Sequence, residues 1–321
     1  MLGFTVISKV IGIGFGVLGC AAALTGVALH FHRFSAQLLV LAASGAPYLM
    51  VGALVGAISF LVVGQRFGAG VAVVVLAVGA WTQAPLYTGQ SGDDDGVAVT
   101  VMQSNLLFDG ADPSALVEAV RARNVAVLTV NELTTTAVAD LGRAGLTELL
   151  PYRYVSPGRT ATGTGIWSRY RLTDTVEYDG YVLNQLSATA HIPGAGPVTI
   201  FAFHPVPPVY GAEVWADELS RLRAILEHAP EGRPAIAGGD FNATYDHHQF
   251  RALTSGRFAD AVEQCGAGHV VTYPTDKWFP PLIGIDHILV AEGRATAVDT
   301  VRLAGADHRA LTAHLLLDKR R

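Results

Sequence analysis

Gly238-Gly239-Asp240-Phe241-Asn242 closes the short apolar run Ala235 to Ala237. Two glycines let the backbone turn and approach a neighbour closely, while an Asp and an Asn are presented just past the strand end. Alone this is weak, because a turn also uses Asp and Asn to bond its own backbone. Similar junctions recur on both sides. Gln103 to Asn105 (QSN) follow Val97 to Met102, Asn131 and Glu132 follow Val125 to Val130, and His204 to Pro208 (HPVPP) follow Val198 to Phe203. Toward the C-terminus, Ile285 to His287 (IDH) lie in the run Ile283 to Val290, and Ala306 to Arg309 (ADHR) precede Leu311 to Leu317. Strand ends are where sheet-based sites gather polar groups. Amides, carboxylates and imidazoles in this number are a donor set that one metal-assisted, phosphate-cleaving site could collect.

Between these runs the pattern is helical. Asp112 followed by Pro113 is an N-cap and first-turn signal for a helix to about Arg123, and Gly211 to His228 reads as a longer helix. With Gln185 to Ile192 and Thr300 to Leu303 as further strands, the fold class is mixed α/β.

The N-terminal part differs in kind. The chain has 321 residues, 50% of them hydrophobic, which is too apolar for an ordinary soluble enzyme of this size. The excess lies in three runs without a formal charge, Val10 to Phe31, Leu38 to Val63 and Ala69 to Tyr87. Each is about long enough to cross a ~30 Å hydrocarbon layer as a helix. A cleaved signal peptide explains the first run but not two more that lack a polar face. The reading is three transmembrane helices over residues 1–90, a linker at 91–96 (SGDDDG), and a catalytic domain over 97–321. Lys9 and Arg66 on one side against Arg33 on the other favour, by two cations to one, a catalytic domain outside the cytoplasmic membrane.

Charge narrows the partners. From Val97 onward 19 Lys and Arg stand against 24 Asp and Glu, with no cationic cluster before Lys319, Arg320 and Arg321. Gripping a nucleic acid requires clustered cations, so a DNA-tracking nuclease is disfavoured and no protein partner is indicated. Cys20 in the first apolar run and Cys265 in the polar part do not suggest a disulfide.

The six motifs in this order, with Gly163 to Arg169 (GTGIWSR), resemble the endonuclease/exonuclease/phosphatase superfamily across residues 97–318, which includes DNase I-like nucleases, sphingomyelinases and inositol-phosphate phosphatases. The resemblance implies a four-layer sandwich, two β-sheets face to face with helices outside. HPVPP, GDFNAT followed by DH, and the stretch from TYP to IDHIL look like the three-span branch associated with teicoplanin resistance, whose members are taken to be undecaprenyl-pyrophosphate phosphatases. A sphingomyelinase-like phosphodiesterase, an extracellular nuclease and a non-catalytic membrane scaffold are the alternatives.

Residue by residue, the resemblance implies that Glu132 holds Mg2+ (or Mn2+), with Asn105 and Asp307 beside it. Asp240 and Asn242 then orient water or phosphate. His308 acts as base or transition-state stabiliser, with its ring oriented by Asp286, and His204 binds phosphate or protonates the leaving oxygen. Some relatives carry a carboxylate two residues after Asn105, where this chain has Leu107. The metal shell is therefore leaner, with several waters. Arg169 and Arg309 are the cations nearest the motifs, and each either binds phosphate or points away. His287 alternates with Asp286 along a strand and should face the other way as a structural residue. His247 and His248 read as outer or surface residues. Trp278 to Leu282 (WFPPL) either touches lipid or packs on its own domain.

Overall fold

The computed structural model describes residues 2–90, 92 and 95–320, so the linker read over 91–96 lies in part outside the described residues, at Ser91, Asp93 and Asp94. The chain forms two compact units, Met1–Pro85 with Asp246–His248, and Leu86–Tyr245 with Gln249–Arg321.

The first unit is helical: α1 (Leu2–Phe31), α2 (Gln37–Ala43), α3 (Ala46–Met50), α4 (Gly52–Val62) and α5 (Arg66–Gln83). Val6–Phe31 and Arg66–Leu86 are long and apolar enough to cross a membrane. The second apolar run, expected as one span, is instead broken: Gln37–Ala43 and Ala46–Val62 meet at 68°. The break precedes Pro47 in the first turn of α3. Proline lacks an N–H and its ring clashes with a preceding helical turn, so it begins helices and does not continue them. Two helices, or three spans if the bent pair counts as one, therefore meet the length criterion. α1 and α4 approach closely through glycine. A Cβ on Gly19 would lie 2.5 Å from the Gly52 carbonyl oxygen, a contact that small residues allow in lipid.

Buried polar groups close this unit. His30 Nδ1 donates to Asp246 Oδ1 at 2.7 Å, and Gln83 Nε2 donates to the same oxygen at 2.9 Å. His247, expected at the surface or the edge of the site, is buried, and its Nε2 donates to the Val40 carbonyl at 2.8 Å. His30→Ala removes a hydrogen bond to a buried carboxylate, a loss of about 1.5–3 kcal/mol. Thermal unfolding in detergent should show it, and an unchanged midpoint would mean that the pair contributes nothing to stability.

The second unit contains two six-stranded sheets. One has the order β11-β12-β1-β2-β4-β3, built from β1 (Val97–Asn105), β2 (Val127–Asn131), β3 (Tyr152–Ser156), β4 (Thr164–Ser168), β11 (Gly293–Arg302) and β12 (Arg309–Leu317). The other has the order β5-β6-β7-β8-β10-β9, built from β5 (Leu172–Tyr178), β6 (Gln185–Ile192), β7 (Gly196–Phe203), β8 (Ala235–Asp240), β9 (Ala259–Asp260) and β10 (Asp286–Ala291). Alternate residues of both sheets, among them Val99, Val101, Val127, Ile200, Ile236 and Ile288, form the core between them. The opposite residues of the first sheet, Met102, Leu128 and Val130, pack with Leu116, Val120 and Leu141 of α6 (Pro113–Ala122) and α7 (Thr135–Arg143). Short helices α8 (Leu146–Leu149), α10 (His248–Leu253) and α11 (Ala261–Cys265) fill connections. α9 (Ala212–Glu227) follows β7, and its Trp215 Nε1 donates to the Phe241 carbonyl beyond β8. This is the sandwich the motifs imply. Asp112 caps α6 as expected, its side chain accepting from the Ser114 N–H.

Candidate active site

The register brings the motifs to one end of the sandwich. β1 and β2 run parallel with Asn105 opposite Asn131, and β7 and β8 run parallel with Phe203 opposite Gly239. β10 is antiparallel to β8 with Asp286 opposite Asp240, and β12 enters antiparallel to β1 just after His308. The paired glycines serve two close approaches: a Cβ on Gly238 would strike Thr129 of the facing sheet, and one on Gly239 the Phe203 carbonyl of the neighbouring strand β7.

Asp240 is the centre. Its Oδ1 accepts from the Asn242 N–H at 2.9 Å, its Oδ2 from Asn105 Nδ2 at 3.1 Å, and its own N–H donates to Asn131 Oδ1 at 2.8 Å. Oδ2 also lies 3.8 Å from His204 Nε2 and 3.7 Å from His308 Nε2. His308 Nδ1 donates to Asp286 Oδ2 at 2.8 Å, and its ring packs on Tyr273 with centroids 4.8 Å apart. Asn105 Nδ2 reaches Glu132 Oε1 at 3.3 Å. Asn242 ties this turn to the next loop by donating from Nδ2 to the Pro205 carbonyl at 3.1 Å. Glu132 and Asn242 hold left-handed backbone angles, φ 54° and 49°, a conformation that costs non-glycine residues about 1 kcal/mol or more.

Burial and charge separate the proton affinities. Burial lowers His308, but the charges of Asp286 and Asp240 outweigh it and raise the imidazole to about 10. Burial pulls His204 down to about 3, and the His308 charge adds to this. Asp240 is raised to about 7 by burial, against the pull of His308. At neutral pH the pattern is an imidazolium, a neutral imidazole, and a carboxyl poised between its two forms.

A family model described as Endonuclease/Exonuclease/phosphatase matches residues 102–308. The chain belongs to that family. Solved structures share its fold. A humanized D. rerio TDP2 aligns with TM-score 0.58 at 16% identity over 68% of this chain and 98% of its own. A family protein from Bacteroides vulgatus aligns at 0.57 and 17% over 69% and 100%, and one from Beutenbergia cavernae at 0.53 and 18% over 69% and 72%. No curated protein matches the sequence. Endonuclease/exonuclease/phosphatase proteins are generally metal-dependent hydrolases of phosphodiester bonds.

The residues fit a divalent cation. Glu132 Oε2 and Asp307 Oδ1 are buried and have no hydrogen-bond partner among the described residues. Burial pushes the Glu132 carboxyl up, the Asn105 hydrogen bond offsets part of this, and the Asp307 charge adds to it. Burial likewise raises Asp307 against the pull of His308. Among the described residues no Lys or Arg pairs with Glu132, Asp240, Asp286 or Asp307. A hard cation would relieve both orphaned oxygens. Among the described residues no group of three or more His, Cys, Asp or Glu side chains stands close enough to hold a metal ion, so the protein would offer at most two of these side chains and water would complete the shell. Asn105 differs from a simple ligand. Its Oδ1 accepts from the Leu107 N–H at 3.0 Å, and its amide bridges Glu132 to Asp240.

The two arginines, each read as either a phosphate ligand or pointing away, both turn their side chains from the site. Arg169 follows β4 at the opposite end of the sheet, where its N–H meets the Ala126 carbonyl and its guanidinium binds Asn124 at 2.7 Å and the Val125 carbonyl at 3.0 Å. Antiparallel pairing of β4 with β2 carries it there, so it is no phosphate ligand. Arg309 reaches Thr300 on β11 at 3.5 Å. His287 faces away as expected: its ring nitrogens donate to Asp260 at 3.0 Å and the Ala243 carbonyl at 2.9 Å. Three positioning residues carried no assigned role in the sequence reading: Asn131, Tyr273 and Gln185. Gln185 holds His204 by two hydrogen bonds, accepting from its N–H and donating to its carbonyl, each at 2.7 Å. A fully buried Gln at the first position of an apolar strand was the available signal.

Asp286→Asn keeps the shape but lessens the charge that orients and protonates His308. We expect a loss of kcat of about tenfold to a hundredfold, milder than deletion of the imidazole. Steady-state kinetics beside His308→Ala checks the order, and equal losses would mean that Asp286 does more than orient the ring.

Proposed function

We propose that the protein is a membrane-anchored, Mg2+-dependent phosphohydrolase acting on lipid-linked phosphate or pyrophosphate, with its catalytic domain outside the cytoplasmic membrane. The observation that carries this is a buried His308–Asp286 pair facing Asp240, beside two orphaned carboxylate oxygens, in a chain that also has helices apolar enough to span a bilayer. The likeness of its motifs to the three-span branch taken to act on undecaprenyl pyrophosphate adds support. Substrate identity does not follow from fold alone.

Glu132 and Asp307 would hold the cation, which supplies neutralisation of phosphate charge and polarisation of the phosphorus centre. The chain's own groups divide the remaining work. Asp240, raised toward neutrality and aimed by Asn105 and the Asn242 N–H, accepts a proton from the attacking water. His308, kept as imidazolium by Asp286, places Nε2–H against the phosphate oxygens as charge builds. His204, neutral and fixed by Gln185, presents a ring nitrogen from the other side of Asp240. Asn242 fixes the turn against the Pro205 loop.

Release of inorganic phosphate from a polyprenyl pyrophosphate by the purified chain tests the reading. Release with Mg2+ and none after EDTA is expected; no release under either condition would overturn it. Sidedness has its own test. A Cys introduced at Ser91, in a Cys20→Ala, Cys265→Ala background, should react in intact cells with a thiol reagent that cannot cross membranes. Labelling only after lysis would place the catalytic domain in the cytoplasm.

A further inference from the structure

Three loops leave the active-site end of the sandwich, and each carries exposed apolar side chains. Phe108 follows Asn105 and is 37% exposed, and Val209 and Tyr210 follow His204 at 64% and 65%. Trp278 and Leu282, at 96% and 41%, lie on the loop between Tyr273 and Ile283. That loop is firmly based, and its Trp278 is exposed. Tyr273 and Ile283 pair across its neck, and Thr275 bonds the Asp307 carbonyl from its N–H at 2.8 Å and the Ala306 carbonyl from its hydroxyl at 2.7 Å. The base of the loop is thus tied to the turn that presents His308, and Tyr273 in its neck packs on the His308 ring. At the tip, Trp278 meets Phe279 edge to face at 5.5 Å, and the adjacent Lys277 pairs with Asp276 at 2.7 Å. Of the two sequence readings for this segment, packing of Trp278 onto its own domain is not what the structure has.

We propose that this apolar rim is a bilayer-docking surface: the side chains of Phe108, Val209, Tyr210, Trp278 and Leu282 enter the boundary between headgroups and acyl chains, so that the polar centre they surround opens onto headgroup phosphates. Water does not favour exposure of five large apolar groups on the loops of one sandwich end, and scattered single residues would not share an end of the fold. Trp, Tyr and a nearby Lys are the residues that settle at a membrane interface. Charge argues against a nucleic acid on the same rim. The only cation of the Trp278 loop is Lys277, already paired, whereas phosphate-backbone binding needs several unpaired ones. The occupant is therefore a lipid bilayer, which the same chain has helices apolar enough to cross. This proposal rests on the reading of the chain as membrane-anchored, yet it does not require that lipid phosphate be hydrolysed.

The test uses the full chain reconstituted in phospholipid vesicles, with the emission of Trp278 taken as the difference between the protein and Trp278→Phe. Lipids brominated high on the acyl chain should quench that component by about half or more, as contact with the interface requires, while aqueous acrylamide should quench it less than it does in free tryptophan. A Trp278 component insensitive to brominated lipid and open to acrylamide would overturn the proposal. Protection from both quenchers would also overturn it, since the rim would then be covered by protein, such as a second copy of the chain. Trp278 is 96% exposed, so its replacement by Phe leaves the fold undisturbed. Phosphate-release assays on the same vesicles are independent of the result: quenching without turnover would remove the enzymatic reading and leave the docking surface.

Discussion

Glu132→Gln should abolish nearly all metal-dependent turnover, a loss on the order of 10³-fold if the cation supplies several kcal/mol of transition-state stabilisation. The amide is nearly the size of the carboxylate and still accepts from Asn105 Nδ2, so the local hydrogen bond at 3.3 Å survives. What disappears is an anionic oxygen that is buried and has no protein partner among the described residues. Because burial and Asp307 disfavour the charged form of Glu132, removing that charge should leave the thermal midpoint of metal-free protein unchanged or raise it. Mg2+ titration after EDTA treatment separates the two effects. Full turnover in EDTA, or an unimpaired variant, would sink the metal assignment.

His308→Ala should lower kcat by roughly 10² to 10⁴, the range for a positioned proton donor or acceptor. His287→Ala should instead cost stability, about 2–4 kcal/mol, because it deletes two buried hydrogen bonds and a ring packed 3.9 Å from Phe250. His287 follows Asp286 on β10 but faces away from it, whereas His308 binds Asp286, so the contrast tests orientation. Equal activity losses at equal stability would mean that the roles are misassigned. His308 also predicts a pH dependence. Its folded pKa, about 10, lies above the ~6.5 of an unfolded imidazole. Its contribution to stability is therefore complete below about pH 6.5 and is lost as pH rises toward 10. In EDTA the wild-type melting temperature should fall across that window, and His308→Ala should flatten the fall.

The strands that carry the site were legible because both faces of each are buried. Val97–Asn105, Val127–Asn131 and Ala235–Asp240 are continuous apolar runs that end in polar residues, and the helices at 113–122 and 212–227 announced themselves by caps and periodicity. Edge strands were not legible. β5 is largely exposed and β11 starts at Gly293, well before the run seen at Thr300, because an edge strand facing water has no apolar alternation to read. The break in the second apolar run was missed for a different reason. Hydropathy registers composition, and a proline in the first turn of α3 changes direction without changing composition. Among site residues, the acids and imidazoles at strand ends came together as expected, whereas Arg169 failed. Its nearness to a motif in sequence says nothing about which end of an antiparallel strand it occupies.

A site that works on phosphate held in lipid should show it in its choice of substrate. The most direct test is cleavage by the purified full chain, in Mg2+ and in EDTA, of the anhydride in a polyprenyl pyrophosphate and of the diesters in a phospholipid and in DNA, side by side. The highest kcat/KM is expected on the polyprenyl pyrophosphate, with weaker cleavage of the phospholipid, little on DNA, and none after EDTA. Preferential cleavage of DNA, or turnover indifferent to the metal, would contradict that role.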